Sequence, residues 1–265
     1  MHALIRLALP LLALPLVFPV LGCSEIDDYF STVAAEALFL GLDDPEAAQA
    51  LGLSPELATG ATATTFLARA RSLDSISENL FSDADSVSMA DGVTSVELVS
   101  RGNGLYSIDS TENAELAYVV GRSYALEVYE EGRLYSAEML APPPPNLSGV
   151  PDALNGETHP AQSALSLSMG QQFDNYLAVV ATENGDITYS NEPQTAGEYL
   201  EWIAGGDVIT DITIPASAFP TAGAGYVIGV AGIRRASDSA FDNFNPLVSN
   251  LAMGSLSVSA VVTAP

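Results

Sequence analysis

Apolar and polar positions change rhythm along this chain. From Leu7 to Leu21 every residue is apolar or proline. Beyond Leu21 the apolar segments shorten, alternate with polar positions and are punctuated by Gly, Asn, Asp and Ser, the pattern of half-buried strands. Val33 to Leu42 reads as a strand. The strongest helical signal follows: Asp44 can cap free amides, Pro45 suits the first helical position, Glu46 suits the positive end, and Gly52 after Leu51 is a stop. Strands are then expected at Thr62 to Ala70, Asp85 to Met89, Ser95 to Ser100, Gly104 to Ile108 and Leu116 to Val120. The clearest hairpin runs out along Ser123 to Tyr129, turns at Glu130, Glu131 and Gly132, and returns along Leu134 to Leu140. In its first strand Tyr124, Leu126 and Val128 share the drier face. The acidic trio Glu127, Glu130 and Glu131 reads as a solvated rim and turn.

The second half repeats this grammar at Ala164 to Met169, Asn175 to Thr182, Asp186 to Ser190, Glu198 to Ile203, Ile209 to Pro215, Gly225 to Arg235 and Ser255 to Val262. Glu183, Asn184 and Gly185 supply a hairpin turn, and pairing Gly225 to Arg235 with the last strand closes a sheet. Between the halves, Pro142 to Pro145 form a stiff extended rod that runs into a Gly-, Asn-, Ser- and Pro-containing stretch. The expected fold class is therefore all-β: two Greek-key β-sandwich domains, immunoglobulin-like or prealbumin-like. The expected boundaries are 1–22 signal peptide, 23–60 flexible acidic lead-in with a possible strand and short helix, 61–141 first sandwich, 142–160 Pro-rich linker and 161–265 second sandwich.

The leader has the order of an export signal, with Met1, His2 and Arg6 before the apolar run. Pro10, Pro15 and Pro19 oppose its retention as a spanning helix, because each removes a backbone donor and clashes with the preceding turn. Val20, Leu21, Gly22 and Cys23 resemble a bacterial lipobox. That resemblance implies cleavage before Cys23, lipid on its sulfur, and membrane anchoring without a spanning segment. Ser24 is not the aspartate that retains some lipoproteins at the inner membrane, so the implied address is the cell envelope, at the outer membrane.

Composition works by subtraction. All eight basic residues are arginine, and removing the leader leaves seven of them against 33 acidic residues. Such a field repels nucleic acid and anionic lipid and leaves cations or basic and neutral partners, a protein or a glycan among them. Lysine Schiff-base chemistry and a lysine-bearing phosphate loop are absent with lysine. Cys23 is the single cysteine, so a lipidated chain has no thiol for a disulfide, a zinc site or a nucleophile. His159 is the one histidine beyond the leader, beside prolines in what reads as a solvated loop, and no paired-histidine metal site is possible.

Asp83 to Met89, Gly104 to Tyr106, Tyr124 to Val128 and Tyr135 to Ala137 before the proline run are similar to the prealbumin-like sandwich of uncharacterised bacterial envelope lipoproteins. Pro215 to Phe219, Tyr226 to Gly232 and Asn245 to Ser249 resemble the immunoglobulin-like partner domain of such proteins. The resemblance implies a fold and an address and carries over no catalytic residue. Local candidates remain. Asp238, Asp242, Asn243 and Asn245 crowd one loop with the oxygen donors that Ca2+ takes, and Asp83, Asp85 and Asp91 form a second set. Trp202, the single tryptophan, and Tyr199 could line a sugar-binding strip. The expected role is non-enzymatic binding or structure, without a required cofactor. The alternatives are a carboxylate-based hydrolase or a carbohydrate-binding accessory module.

Overall fold

The computed structural model describes residues 33–42, 60–69, 82–193, 198, 202, 208–245 and 249–265. Strands dominate the regular secondary structure of the described chain, in the expected all-β class. In the first half lie β1 (Ala34–Leu42), β2 (Ala61–Ala68), β3 (Ser86–Ala90), β4 (Ser95–Glu97), β5 (Val99–Gly102), β6 (Leu105–Asp109), β7 (Ser123–Glu130) and β8 (Arg133–Leu140). The second half adds β9 (Leu165–Phe173), β10 (Asn175–Thr182), β11 (Ile187–Ser190), β12 (Ile209–Ile214), β13 (Gly225–Arg235), β14 (Phe241–Asp242) and β15 (Asn250–Val262).

These strands form an eight-stranded sheet in the order β11-β10-β13-β15-β1-β2-β6-β5, a five-stranded sheet β14-β8-β7-β3-β4, and the pair β12-β9. The large sheet runs through both halves of the sequence. Alternation along its strands shows how: Ala35, Ala37 and Phe39 of β1, with Leu251 and Met253 of β15, enter a core shared with Val87, Leu126, Val128 and Tyr135 of the five-stranded sheet. Tyr226, Ile228 and Val230 of β13, with Val261 of β15, enter a second core shared with Leu167, Met169, Ile212 and Ile214 of β9 and β12. Both smaller sheets thus pack on one face of the large one. Its other face carries Leu38, Ala231, Ile233 and Ala252, which form a cluster with Leu40, Leu177 and Leu256. β13 is consequently apolar from Tyr226 to Ile233 with no polar interruption, as a strand buried on both faces must be.

Between the two cores, three neighbouring strands present almost no side chain. Gly41 of β1 is paired with Ser255 of β15, which is paired on its other side with Gly232 of β13. A Cβ at Gly41 would lie 1.9 Å from Cγ of Tyr118, and one at Gly232 would lie 2.4 Å from the ring of Phe173. The two rings, one from each half, therefore rest on bare backbone. Tyr118 is held there by its hydroxyl, which donates to the Pro142 carbonyl at 2.8 Å, and by Phe39, 5.2 Å from it between ring centres. Phe173 is capped by the Arg234 guanidinium, 5.6 Å over its ring.

Several expectations are corrected by this arrangement. The strand expected at the start of the chain is present, but as a central strand with β15 and β2 on its flanks, so residues 34–42 are no flexible lead-in. The proline-rich stretch is no free rod. Asn146 N donates to the Met169 carbonyl, Ser148 bridges Ser168, and His159 bridges Thr263. Leu116 to Val120 is not a strand; it follows a turn at Asn113, and its alternation arises because Leu116 and Tyr118 are the residues that turn inward. Ser95 to Ser100 is two strands, β4 and β5, that belong to different sheets. The hairpin of β7 and β8 turns on two residues, not three: Glu131 at φ 51° and Gly132 at φ 78° connect the paired Glu130 and Arg133, the left-handed geometry of a tight hairpin turn. In the segment expected as the strand Glu198 to Ile203, the described residues Glu198 and Trp202 are helical. The pairing of β13 with β15 is as the pattern predicted, and the helix expected after Asp44 lies outside the described residues.

Gly41→Ala tests the seam directly. Because the added methyl meets a ring held on two sides, the expected loss is about 3 kcal/mol, at the upper end for overpacking. It is read as a lowered midpoint of denaturant unfolding. A variant as stable as the parent would show that Tyr118 does not depend on the missing side chain.

Candidate functional site

The residues nominated by the sequence are mostly engaged with the protein itself. Val20, Leu21, Gly22 and Cys23 lie outside the described residues, as does Tyr199. Trp202 packs against the cluster of Leu38, Ala231, Ile233 and Ala252, and its indole N–H donates to the Tyr176 carbonyl at 3.1 Å. His159 is buried, which corrects the solvated loop. One ring nitrogen lies 2.9 Å from the Ser163 carbonyl, and the ring meets Phe219 edge-on at 4.8 Å. The flanking residues explain the burial, since His159 N donates to Val262 and Ala264 N donates to the His159 carbonyl, which stitches the segment to the end of β15.

The oxygen-rich loop is likewise committed. Asn243, at φ 64°, accepts from Arg133 Nη2 at 2.6 Å through Oδ1 and donates to the Leu134 carbonyl at 2.9 Å through Nδ2. Asn245 is buried with its amide donating to the Val33 carbonyl, Asp242 lies in β14, and Asp238 begins a single helical turn. Asp83 and Asp85 precede β3 whereas Asp91 follows it, so the second set is divided between opposite ends of one strand. Asp91 accepts from the Thr94 and Val93 amides and from Arg122, and those contacts hold its carboxyl below the usual range. Among the described residues, no three His, Cys, Asp or Glu side chains gather as a metal site.

Two carboxylates that lie partly or fully in the interior were not singled out by the sequence as core. Glu130 belongs to the strand, not the turn, and has the same parity as Tyr124, Leu126 and Val128, so it faces the core at 4 % exposure. Ser82 donates to its Oε1, and Arg69 Nη1 lies 3.6 Å from that oxygen and 2.7 Å from Glu131 Oε2. The parity of the hairpin was the signal that could have found it. Glu36 lies on β1 beside Asn250 of β15, on the face opposite the two sandwich cores. Arg235 is on that same face, two strands away on β13. Burial pushes the Glu36 carboxyl up to about 8, with the Arg235 guanidinium pulling the other way, and its Oε2 has no hydrogen-bond partner.

The outer face of the five-stranded sheet is a broad polar surface. Strand register draws a row straight across it, Glu97–Ser88–Glu127–Ser136–Asp242, from β4 through β3, β7 and β8 to β14. Glu138 adds a fourth carboxylate one row on, where Ser123 donates to it, and Ser88 approaches Glu127 at 3.5 Å. Exposed Tyr129 and Leu134 pair at one end of this face and exposed Leu140 closes the other. The face offers hydrogen-bond acceptors beside apolar side chains.

The sign of the Glu36 effect is fixed by its direction. Between the ordinary carboxylate value of 4.5 and about 8, the folded chain holds a proton that the unfolded chain has released, so this residue lowers stability as pH rises through that window and levels off above it. Glu36→Gln is therefore expected to be more stable than the parent at alkaline pH, by on the order of 3 kcal/mol, with the advantage fading toward about pH 5. Denaturant melts of both proteins across that range check it, and parallel profiles would remove the assignment.

No protein-family model matches the chain, and no curated protein matches it. Among solved structures it is similar to the BSP domain of a biofilm-associated protein, at 11% identity and a TM-score of 0.23 over 91% of this chain and 31% of that one. It is also similar to domains of titin, at 9% identity and a TM-score of 0.20 over 77% of this chain and 58% of that one. The chain thus spans about a third of the first protein and little over half of the second.

Proposed function

We propose that this chain is a lipid-anchored protein of a bacterial cell envelope, held at the outer membrane, whose role is binding or structural support and not catalysis. The observation that carries this reading is the tetrapeptide Val20-Leu21-Gly22-Cys23 at the close of an uncharged apolar leader. No helix among the described residues is long and apolar enough to cross a membrane, and a lipid on Cys23 would supply the attachment. Support for a non-catalytic role comes from what the chemically capable groups are doing: the His159 ring is tied to the Ser163 carbonyl, and Trp202 is spent on packing. The outer face of the five-stranded sheet, with Glu97, Glu127, Glu138 and Asp242, is the surface best suited to meet a protein or glycan lacking strong negative charge.

Fatty-acid labelling of the expressed full chain tests the anchor. Label is expected in the parent and absent in Cys23→Ser, which should be released from the membrane fraction. Parent protein that carries an unmodified thiol and appears free in the medium would end this reading. For the role, capture from intact envelopes is compared between the parent and a variant with Glu97→Gln, Glu127→Gln, Glu138→Gln and Asp242→Asn. Loss of the captured partner in the variant is the expected result, and unchanged capture would take the acidic face out of the account.

A further inference from the structure

The chain enters β1 at Val33 and leaves β15 beyond Val262, and these two strands are hydrogen-bonded to one another in parallel over seven residue pairs, from Glu36↔Asn250 to Leu42↔Leu256. We propose that this pair is a mechanical clamp, built to resist tension between the anchored side of the chain and its C-terminal side. The inference rests on the anchored reading for its biological sense, since the lipid would fix the Val33 end.

The geometry is that of shear. Tension drawn on the chain before Val33 pulls β1 backward along its own axis, and tension drawn beyond Val262 pulls β15 forward along its axis. The strands can part only by sliding, so all seven pairs are loaded together instead of opening in succession. Neither strand can step aside. β1 is paired on its other edge with β2 from Ala34↔Ala68 to Gly41↔Ala61, and β15 is paired with β13 along eleven positions from Gly225↔Val262 to Arg235↔Ala252. The entry is stitched as well: Asn245 N donates to the Val33 carbonyl at 3.2 Å, and Ala35 N donates to Ser249 Oγ at 3.2 Å.

Side chains resist the same motion. Phe39 is wedged between Tyr118 at 5.2 Å and Tyr124 at 4.9 Å. A slip of one residue turns Phe39 to the opposite face of the sheet. A slip of two carries Gly41 out from beneath Tyr118 and brings Asp43, which has a Cβ, into a space where Gly41 has room for none. Sliding therefore breaks the packing before it reaches another register.

Single-molecule pulling along two axes of one molecule tests the clamp. The full chain bearing Cys23→Ser and Asn103→Cys is held through its N-terminal end and either its C-terminal end or residue 103. Asn103 is exposed in the β5–β6 turn, at the same end of the sheet as Val33, because Leu67 pairs with Ala35 and its amide donates to the Gly104 carbonyl. Pulling there draws the strands apart sideways, pair by pair. Both measurements use the same protein of the same stability, so they differ only in the barrier that force must cross. The expected result is an unfolding force several-fold higher along the end-to-end axis. Equal forces on the two axes would overturn the clamp even if Cys23 is lipidated, whereas a high end-to-end force from a chain whose parent carries no lipid would uphold the clamp and fail the anchor alone.

Discussion

Two aromatic rings lying on bare backbone hold this architecture together. Tyr118 over Gly41 and Phe173 over Gly232 come from opposite halves of the chain and cover two glycines separated by Ser255 on the strand between them. A sheet that serves two separate cores on one face must change partners somewhere along its width, and here one ring from each core lies over a glycine at that change. The missing Cβ atoms let each ring descend to contact distance with the peptide planes. The seam also fixes register. β1, β15 and β13 can align in only one way that puts glycine beneath both rings.

Once β1 is locked into the large sheet, the charges fall into place. Glu36 is half-buried because β1 has neighbours on both edges and apolar neighbours on its own face, and it lies within the influence of Arg235 because only β15 separates the two strands. Glu130 is buried for a different reason: the tight turn begins one residue later than its acidic neighbours suggest, which leaves Glu130 in the strand with Ser82 and Arg69 as its polar company. In a chain this acidic, such sites are costly to keep charged.

The proposed anchor and the clamp belong to one mechanical picture. A tether that enters at Val33 meets a strand gripped by both edges, and the path toward the C-terminal side passes directly through β15 to the second core. On the proposed reading, tension would not cross the turns or the outward face of the smaller sheet, which carries exposed Tyr129 and Leu134 and the carboxylate row, so load and contact would fall on different surfaces of the same body.

Much of this was legible beforehand. The all-β class, most strand positions, the pairing of β13 with β15 and the turn chemistry at Gly132 and Gly185 follow from local period and backbone preference, which depend on residues close in the chain. The uninterrupted apolar run Tyr226 to Ile233 is the signature of a strand covered on both faces, although the pattern as read above predicts only a long strand pairing with the last one. What remained hidden was long-range. Alternation shows that Val33 to Leu42 is a strand but not that its neighbour lies more than 200 residues away, at Asn250 to Leu256. Period two in Leu116 to Val120 records burial without pairing, and helical Trp202 answers to an apolar cluster assembled from β1, β10, β13 and β15. Local sequence determined which segments extend and which faces are dry, because those are set by a residue's own torsions and its nearest neighbours. Tertiary structure alone decided which strand lies beside which, since that choice depends on side chains distant in the chain, such as Tyr118 over Gly41 and Phe173 over Gly232.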